Sequence, residues 1–448
     1  MVNNLQAERR NRMSDEDRVR NFQRKLYQKA KQDKKFRFYI LYDKVGIPYF
    51  LREAYKRCRA NNGKSGVDGM SFKDVERYGV DKFLAEIKLE LDNQSYHPQP
   101  VKRVYIEKAN GKKRPLGIPT IKDRVVQMSA KMVIEPIFEA DFEDCSFGFR
   151  PKRSAADAVS VIKENLKKGK TEILDADLSA YFDTIPHDKL MKLLSLRISD
   201  AKMLKLIKMW LKAPVREKGR DTGGKKNKKG TPQGGVISPL LANIYLNLID
   251  HAVMRITGIF QRYGVSMVRY ADDFVLMGKE LNSKVEEYLK YLLGKMSLTL
   301  NEEKTVKLNA LEESFNFLGH TFRYSQDLYV DNRRYWNVEP SEKALSNIRG
   351  VIREFLKSHG HSPPEIVASG LNRKLIGWIN YYTIPSVTYP AKAKKKLFYY
   401  LYQRLDRFYR RKSQRKSKLY RHGALKVLVT KYGMIDPRTY TPRHPVNA

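Results

Sequence analysis

A chain of 448 residues has room for two or three domains and a substantial buried core. Lys and Arg total 87 against 49 Asp and Glu, a net charge of +38, yet 42% of residues are hydrophobic, which excludes a disordered basic tail and describes a folded protein whose basic surface faces a polyanion. No apolar run reaches the roughly 18 residues of a membrane span; Met1 to Asn11 lacks a signal-peptide core, and Cys58 and Cys145 are too few for a disulfide framework or a zinc site.

The expected setting is a reducing cytoplasm, that of a prokaryotic cell, with no membrane partner. The charge alone would equally suit a ribosomal or chromatin-type binding protein, so the motifs must decide.

Residues 12 to 60 alternate basic and apolar positions at helical spacing, with Val19, Phe22, Leu26 and Ala30 followed by Phe38, Leu41 and Tyr42. This predicts two or three basic amphipathic helices, whose charges suit nucleic acid and plain solvation equally. A turn-rich break from Asn61 to Gly69 precedes a helix through Phe83 to Ile87. A hairpin follows over Val101 to Ile118, turning at Asn110-Gly111, with Lys108, Lys112, Lys113 and Arg114 crowded on it. Such cations also guard an edge strand against pairing with another chain.

Residues 123 to 139 read as a helix with Val125, Val126, Met128, Met132 and Val133 as its apolar stripe. In Ser146-Phe147-Gly148-Phe149-Arg150 the aromatics either stack on single-stranded RNA or pack in the core. The run Glu217 to Lys229 is Gly-rich and cationic, a flexible hairpin loop for phosphates or for solvent. The helix after Pro232-Gln233-Gly234-Gly235 carries Leu240, Leu241, Ile244 and Leu248 on its apolar side.

The centre of the chain is Val268-Arg269-Tyr270-Ala271-Asp272-Asp273-Phe274-Val275-Leu276-Met277. Apolar residues on both sides of two adjacent acids predict a tight hairpin with carboxylates at its tip. Neighbouring strand positions point in opposite directions, so one acid should be primary. Two adjacent carboxylates raise each other's pKa unless a divalent cation such as Mg²⁺ neutralises them. Alone, the pair is no more than a solvated turn. A second apolar run, Ile173-Leu174-Asp175-Ala176-Asp177-Leu178, also delivers an acid. Two distant strands bringing acids to one point is what two-metal phosphoryl transfer requires, with ions about 3.5 to 4 Å apart.

Residues 283 to 296 are expected to be helical, followed by Leu298 to Thr305 with Lys304, and by Phe317-Leu318-Gly319-His320, whose Gly allows a sharp bend. His320 reads as a surface or packing residue. From about Val338 helical stripes appear, interrupted at Pro363-Pro364, with Trp378, Tyr381 and Tyr382 as expected core. The tail from Lys392 interleaves Lys, Arg and Tyr, a pattern that follows a phosphate backbone.

Three of these stretches together resemble the palm motifs of reverse transcriptases: the Asp177 run, Gly230-Thr231-Pro232-Gln233-Gly234-Gly235, and Tyr270-Ala271-Asp272-Asp273. The chain is most similar to the group II intron reverse transcriptase/maturase family, of a type without an endonuclease domain, from about Gly66 to about Tyr382. The resemblance implies an α+β fold in a right-hand arrangement: fingers, a palm with an antiparallel sheet, a helical thumb, and basic N-terminal helices. The corresponding domains are 1–65, the basic extension; 66–337, fingers and palm; 338–415, the thumb or maturase region; and 416–448, a basic tail that would be a remnant of a DNA-binding segment.

The resemblance also implies roles. Asp177, Asp272 and Asp273 would hold two Mg²⁺ ions, with Asp177 and Asp272 primary and Asp175 and Asp183 weaker ligand candidates. Lys304 would stand near the leaving pyrophosphate. Lys108 and Arg114 would grip the triphosphate, Arg114 through its planar fork. Gln233 would line the nucleotide pocket, and Phe182, five positions after the first acid, would sit beneath the sugar and exclude a 2′-hydroxyl. The implied activity is RNA-directed DNA polymerisation for a group II intron, with RNA template, structured intron RNA, DNA primer or target and deoxynucleoside triphosphates as partners, and a maturase role in splicing and retrohoming. A domesticated relative in a host or defence function and a splicing cofactor without polymerase activity remain open alternatives. Without Cys pairs at metal spacing near the C-terminus, no second-strand DNA cleavage by this chain is expected.

Overall fold

The structure is a computed structural model that describes residues 13–107, 111, 113–327, 330–412, 419 and 422–442. The fold is α+β. The chain forms two compact units, one of Met1–Arg153, Asp175–Leu276 and Leu281–Thr305, the other of Ser154–Leu174, Met277–Glu280 and Val306–Ala448.

In the first unit the expected N-terminal helices are Asp15–Gln32, Tyr42–Val45 and Pro48–Ala60. The first begins where the Ser14 hydroxyl accepts from the Asp17 amide, with acids in its first turn and lysines in its last, each favoured by the helix dipole. It and Pro48–Ala60 pack on the helix Ile121–Glu139. That helix is buried nearly all round, on Val125, Val126, Ala130, Met132, Val133, Ile134 and Ile137, so the expected single stripe is too narrow. Each buried Val, Ile or Met among them contributes on the order of 1.5–3 kcal/mol.

Strand β1 (Val101–Glu107) pairs antiparallel with β2 (Lys113–Ile118), Glu107 facing Lys113 and Lys102 facing Ile118. The expected hairpin is present; most of its turn, Lys108 included, lies outside the described residues. Strand β3 is Glu172–Asp177. The cationic run Glu217 to Lys229, expected to be a flexible hairpin loop, does begin in a hairpin: β4 (Pro214–Glu217), parallel to β1, turns into β5 (Arg220–Gly223), antiparallel to β4, giving the sheet order β2-β1-β4-β5. The helix Ser238–Met254 buries Leu240, Leu241 and Ile244, but Leu248 is exposed, a correction to the expected apolar side. Strands β6 (Ser266–Tyr270) and β7 (Asp273–Gly278) flank the Ala271-Asp272 turn. They belong with β3 to a second sheet, in the order β6-β7-β3; β8 (Val306–Asn309) is a strand of the second unit.

The second unit contains the antiparallel strands β9 (Phe315–Phe317), β10 (His320–Gln326) and β11 (Arg334–Pro340). They are followed by the helices Glu342–Ser358, Pro364–Tyr382, Ala391–Lys412 and Ala424–Tyr432. Leu397, Leu401 and Leu405 recur every fourth residue and meet Ile352, Leu356, Leu371, Leu375 and Leu428 in one core. Trp378 packs against that core, whereas Tyr381, expected there, is exposed and its hydroxyl donates to the Leu318 carbonyl at 3.0 Å.

Candidate active site

The tip of the β6–β7 hairpin is held from below by one buried arginine. Arg269, on β6, donates through Nε to Asp250 Oδ1 at 2.8 Å, through Nη1 to Asn243 Oδ1 at 3.0 Å, and through Nη2 to Ser146 Oγ at 2.7 Å. Its Nη1 also donates to the Ala271 carbonyl at 2.8 Å, which ties the guanidinium directly to the turn. Asn243 donates in turn to the Gly148 carbonyl at 2.8 Å. The 145–148 loop runs beside β6, with Arg269 N donating to Cys145 O at 2.8 Å and Phe147 N to Arg269 O at 2.9 Å. A Cβ at Gly148 would stand 2.4 Å from the Ala271 nitrogen, so only glycine lets this loop approach the acid-bearing turn. Ala271 itself adopts φ +59°.

Asp177 ends β3, the neighbour of β7 in the sheet. The residues that follow are pinned alongside the 299–305 segment: Ser179 N donates to Thr299 O at 3.0 Å and Asn301 N to Asp177 O at 2.8 Å. This delivers Lys304 Nζ to 2.7 Å from Asp177 Oδ2, and the bond holds the ammonium pKa above its ordinary value. Asn301 Nδ2 donates to the same oxygen at 3.2 Å.

The carboxylates feel one another. Burial, then the charges of Asp272, Asp177 and Asp175, pushes Asp273 up to about 7, and Asp273 is also hydrogen-bonded to Asp177. Burial and the Asp177 charge raise Asp175 to about 6. Asp272 is raised chiefly by burial, and Arg114 and Lys304 pull it back. Among the described residues, no three His, Cys, Asp or Glu side chains converge into a ready metal cage. The donor set nonetheless fits a hard divalent cation: carboxylate oxygens that repel one another and would shed that repulsion on an ion of charge +2.

Arg114 and Gln233 are joined, Arg114 Nε donating to Gln233 Oε1 at 3.1 Å. Their backbones touch as well: Gly117 N donates to Gln233 O at 2.6 Å, and a Cβ at Gly234, φ +108°, would lie 2.5 Å from the Gly117 carbonyl. Phe182 is buried, its carbonyl accepting from Thr231 N at 2.7 Å. The structure therefore sets Lys304 on Asp177, places Asp272 and Asp273 where the Asp177 charge acts on both, and joins Arg114 to Gln233 with Phe182 beside the Gln233 loop. Of the aromatics in the 146–150 loop, Phe147 is core and Phe149 is exposed. Sequence reasoning missed Arg269 and its partners Asn243 and Asp250.

The comparisons agree with these motifs. Residues 106–322 match the reverse transcriptase (RNA-dependent DNA polymerase) family, and residues 345–427 match the group II intron maturase-specific domain. Protein YkfC of Escherichia coli is 36% identical over 73% of this chain and 93% of its own length. The group II intron-encoded protein LtrA of Lactococcus lactis is 32% identical over 71% of this chain and 63% of its own length. Among solved structures, a partial Cas6-RT-Cas1–Cas2 complex covers 59% of this chain and 43% of its own at 22% identity and a TM-score of 0.36, a likeness too low to decide anything. The chain belongs to the reverse transcriptase family, the RNA-directed DNA polymerases, and within it to the group II intron type that carries a maturase-specific domain.

Proposed function

We propose that this reverse transcriptase extends a primer on an RNA template at two Mg²⁺ ions held by Asp177, Asp272 and Asp273, and that it serves a structured group II intron RNA in splicing and retrohoming. The observation that carries the reading is the electrostatic coupling of Asp177 with Asp272 and Asp273, with Lys304 bound to Asp177 and the Arg114 charge felt at Asp272. When bound, the two ions would activate the primer 3′-hydroxyl and neutralise the departing pyrophosphate.

The chain's own side chains divide the remaining work. Arg114, together with Lys108, presents cationic donors to the triphosphate, and the planar guanidinium can do so bidentately. Lys304 donates a proton to the leaving group or screens its charge. The Phe182 ring lies under the incoming sugar and leaves no room for a 2′-hydroxyl. The maturase role rests on the match over residues 345–427 and on the basic helix Ala391–Lys412, which exposes Lys392, Lys395, Tyr399 and Tyr402.

Splicing help needs RNA-binding surfaces and polymerisation needs the acids, so the two are separable. The test is splicing of a group II intron precursor by the wild type and by Asp272→Asn. Splicing retained in the variant, with extension lost, supports the dual role. A wild type that extends primers but promotes no precursor's splicing favours a domesticated polymerase.

A further inference from the structure

Asp183 stands at the nucleotide side of the site, where a carboxylate should be unwelcome. A triphosphate is repelled by it, so a carboxylate kept there needs a structural reason. Its surroundings supply one. Gln233 Nε2 donates to Asp183 Oδ2 at 3.2 Å, while Gln233 Oε1 accepts from Arg114 Nε at 3.1 Å. Burial raises the Asp183 pKa above its ordinary value, and the charge of Arg103, the Gln233 bond and the charge of Arg114 oppose that rise and favour the carboxylate.

The amide is thus polarised at both ends. Turned over, it would set its oxygen against a carboxylate oxygen and its NH₂ against a guanidinium, two repulsions in place of two bonds. The order carboxylate, amide, guanidinium has one consistent direction, and it ends at the group that faces the triphosphate. The backbone supports the same line. Gly230 packs on the Asp183 carbonyl, where a Cβ would come to 3.1 Å, and Gly230 N donates to Ile185 O at 2.8 Å, so the loop carrying Gln233 is tied to the turn carrying Asp183.

We propose that Asp183 is a positioning residue of the nucleotide pocket: it fixes the Gln233 amide, and the amide so fixed holds Arg114 for the incoming triphosphate. This inference rests on the polymerase reading above. Asp183 touches no reacting atom and acts on nucleotide capture rather than on the chemical step.

The test is steady-state single-nucleotide addition to a DNA primer on an RNA template, using the full chain with Mg²⁺ and varied deoxynucleotide. Asp183→Ala should raise KM about tenfold while kcat falls less than about threefold, the scale of one net hydrogen bond. Gln233→Ala should raise KM similarly, and the double variant should be no worse than either single one, because both break the same line. Asp183→Asn keeps an acceptor for Gln233 Nε2 and should restore most of the affinity; Asp183→Leu, of similar shape but without an acceptor, reads the cycle if Asp183→Ala does not fold. Multiplying KM effects in the double variant, or an Asp183→Ala defect confined to kcat, would overturn the inference and leave the polymerase reading intact. A wild type that adds no nucleotide would overturn both.

Discussion

The Lys304 ammonium sits 2.7 Å from Asp177 Oδ2, at the carboxylate expected to be a primary metal ligand. The segment that carries it is fastened to the end of β3, with Asn301 N on Asp177 O and Thr305 N on Asn301 O, each at 2.8 Å. The cation is therefore a fixed part of the acidic site. Replacing it with Met, similar in length but uncharged, should lower the single-turnover rate by about 10- to 100-fold with RNA affinity unchanged. Rapid-quench extension checks this, and an unchanged rate would return Lys304 to the surface lysines.

Arg269 predicts a different kind of failure. It is fully buried, and Arg269→Met leaves the Asp250 carboxylate, also fully buried, without its partner. Such an orphaned charge costs about 3–5 kcal/mol, which urea unfolding should show as a lower midpoint at an unchanged slope. Gly148→Ala should instead leave the protein folded and cut extension by more than about tenfold, since its methyl displaces the Ala271 backbone at the acid-bearing turn.

Phe182 tests sugar selection. Phe182→Ala should raise ribonucleotide incorporation relative to deoxynucleotides by at least about tenfold, the range open to loss of one steric contact in a pocket. Competition between dATP and ATP opposite a template uridine reads the ratio directly. An unchanged ratio would make Phe182 a core residue and nothing more.

His320 gives the second unit a pH dependence. Burial drives its pKa down to about 4, against the weaker pull of the Leu318 carbonyl 3.2 Å from Nδ1. The unfolded chain takes up the proton near pH 6.5, so the stabilisation is complete above that pH and falls as the pH drops towards 4, by up to about 3 kcal/mol. His320→Gln cannot be protonated. Between pH 7.5 and 4.5 it should lose less stability than the wild type in matched denaturant titrations; equal losses would contradict the assignment.

The acids are legible in the sequence because an apolar run leads to each, and period-2 burial leaves few places for a carboxylate other than a strand end. The support beneath them is less legible. Arg269 reads as the solvent-facing position of a strand, and its partners Asp250 and Asn243 lie 19 and 26 residues away on a helix dominated by its apolar pattern. A signal does exist there: Asn243, Asn247 and Asp250 recur at helical spacing and are all buried, polar groups that must have partners. Asp183 is legible only as a weak ligand candidate, for a related reason. Its line to Gln233 spans 50 residues and that from Gln233 to Arg114 spans 119, distances at which side-chain hydrogen bonds leave no local pattern. The hairpin at the start of the run Glu217 to Lys229 is legible in its glycines, but its anchoring is not: β4, which leads into the run, pairs with β1, and β5 within it pairs with β4.

The most direct test of the central claim is primer extension on an RNA template with deoxynucleotides and Mg²⁺, comparing the wild type with Asp272→Ala at matched RNA binding. Extension by the wild type, and its loss in the variant with RNA affinity retained, is the predicted result. A variant that extends as well as the wild type would contradict the assignment of the chemistry to the acids of β3 and the β6–β7 turn.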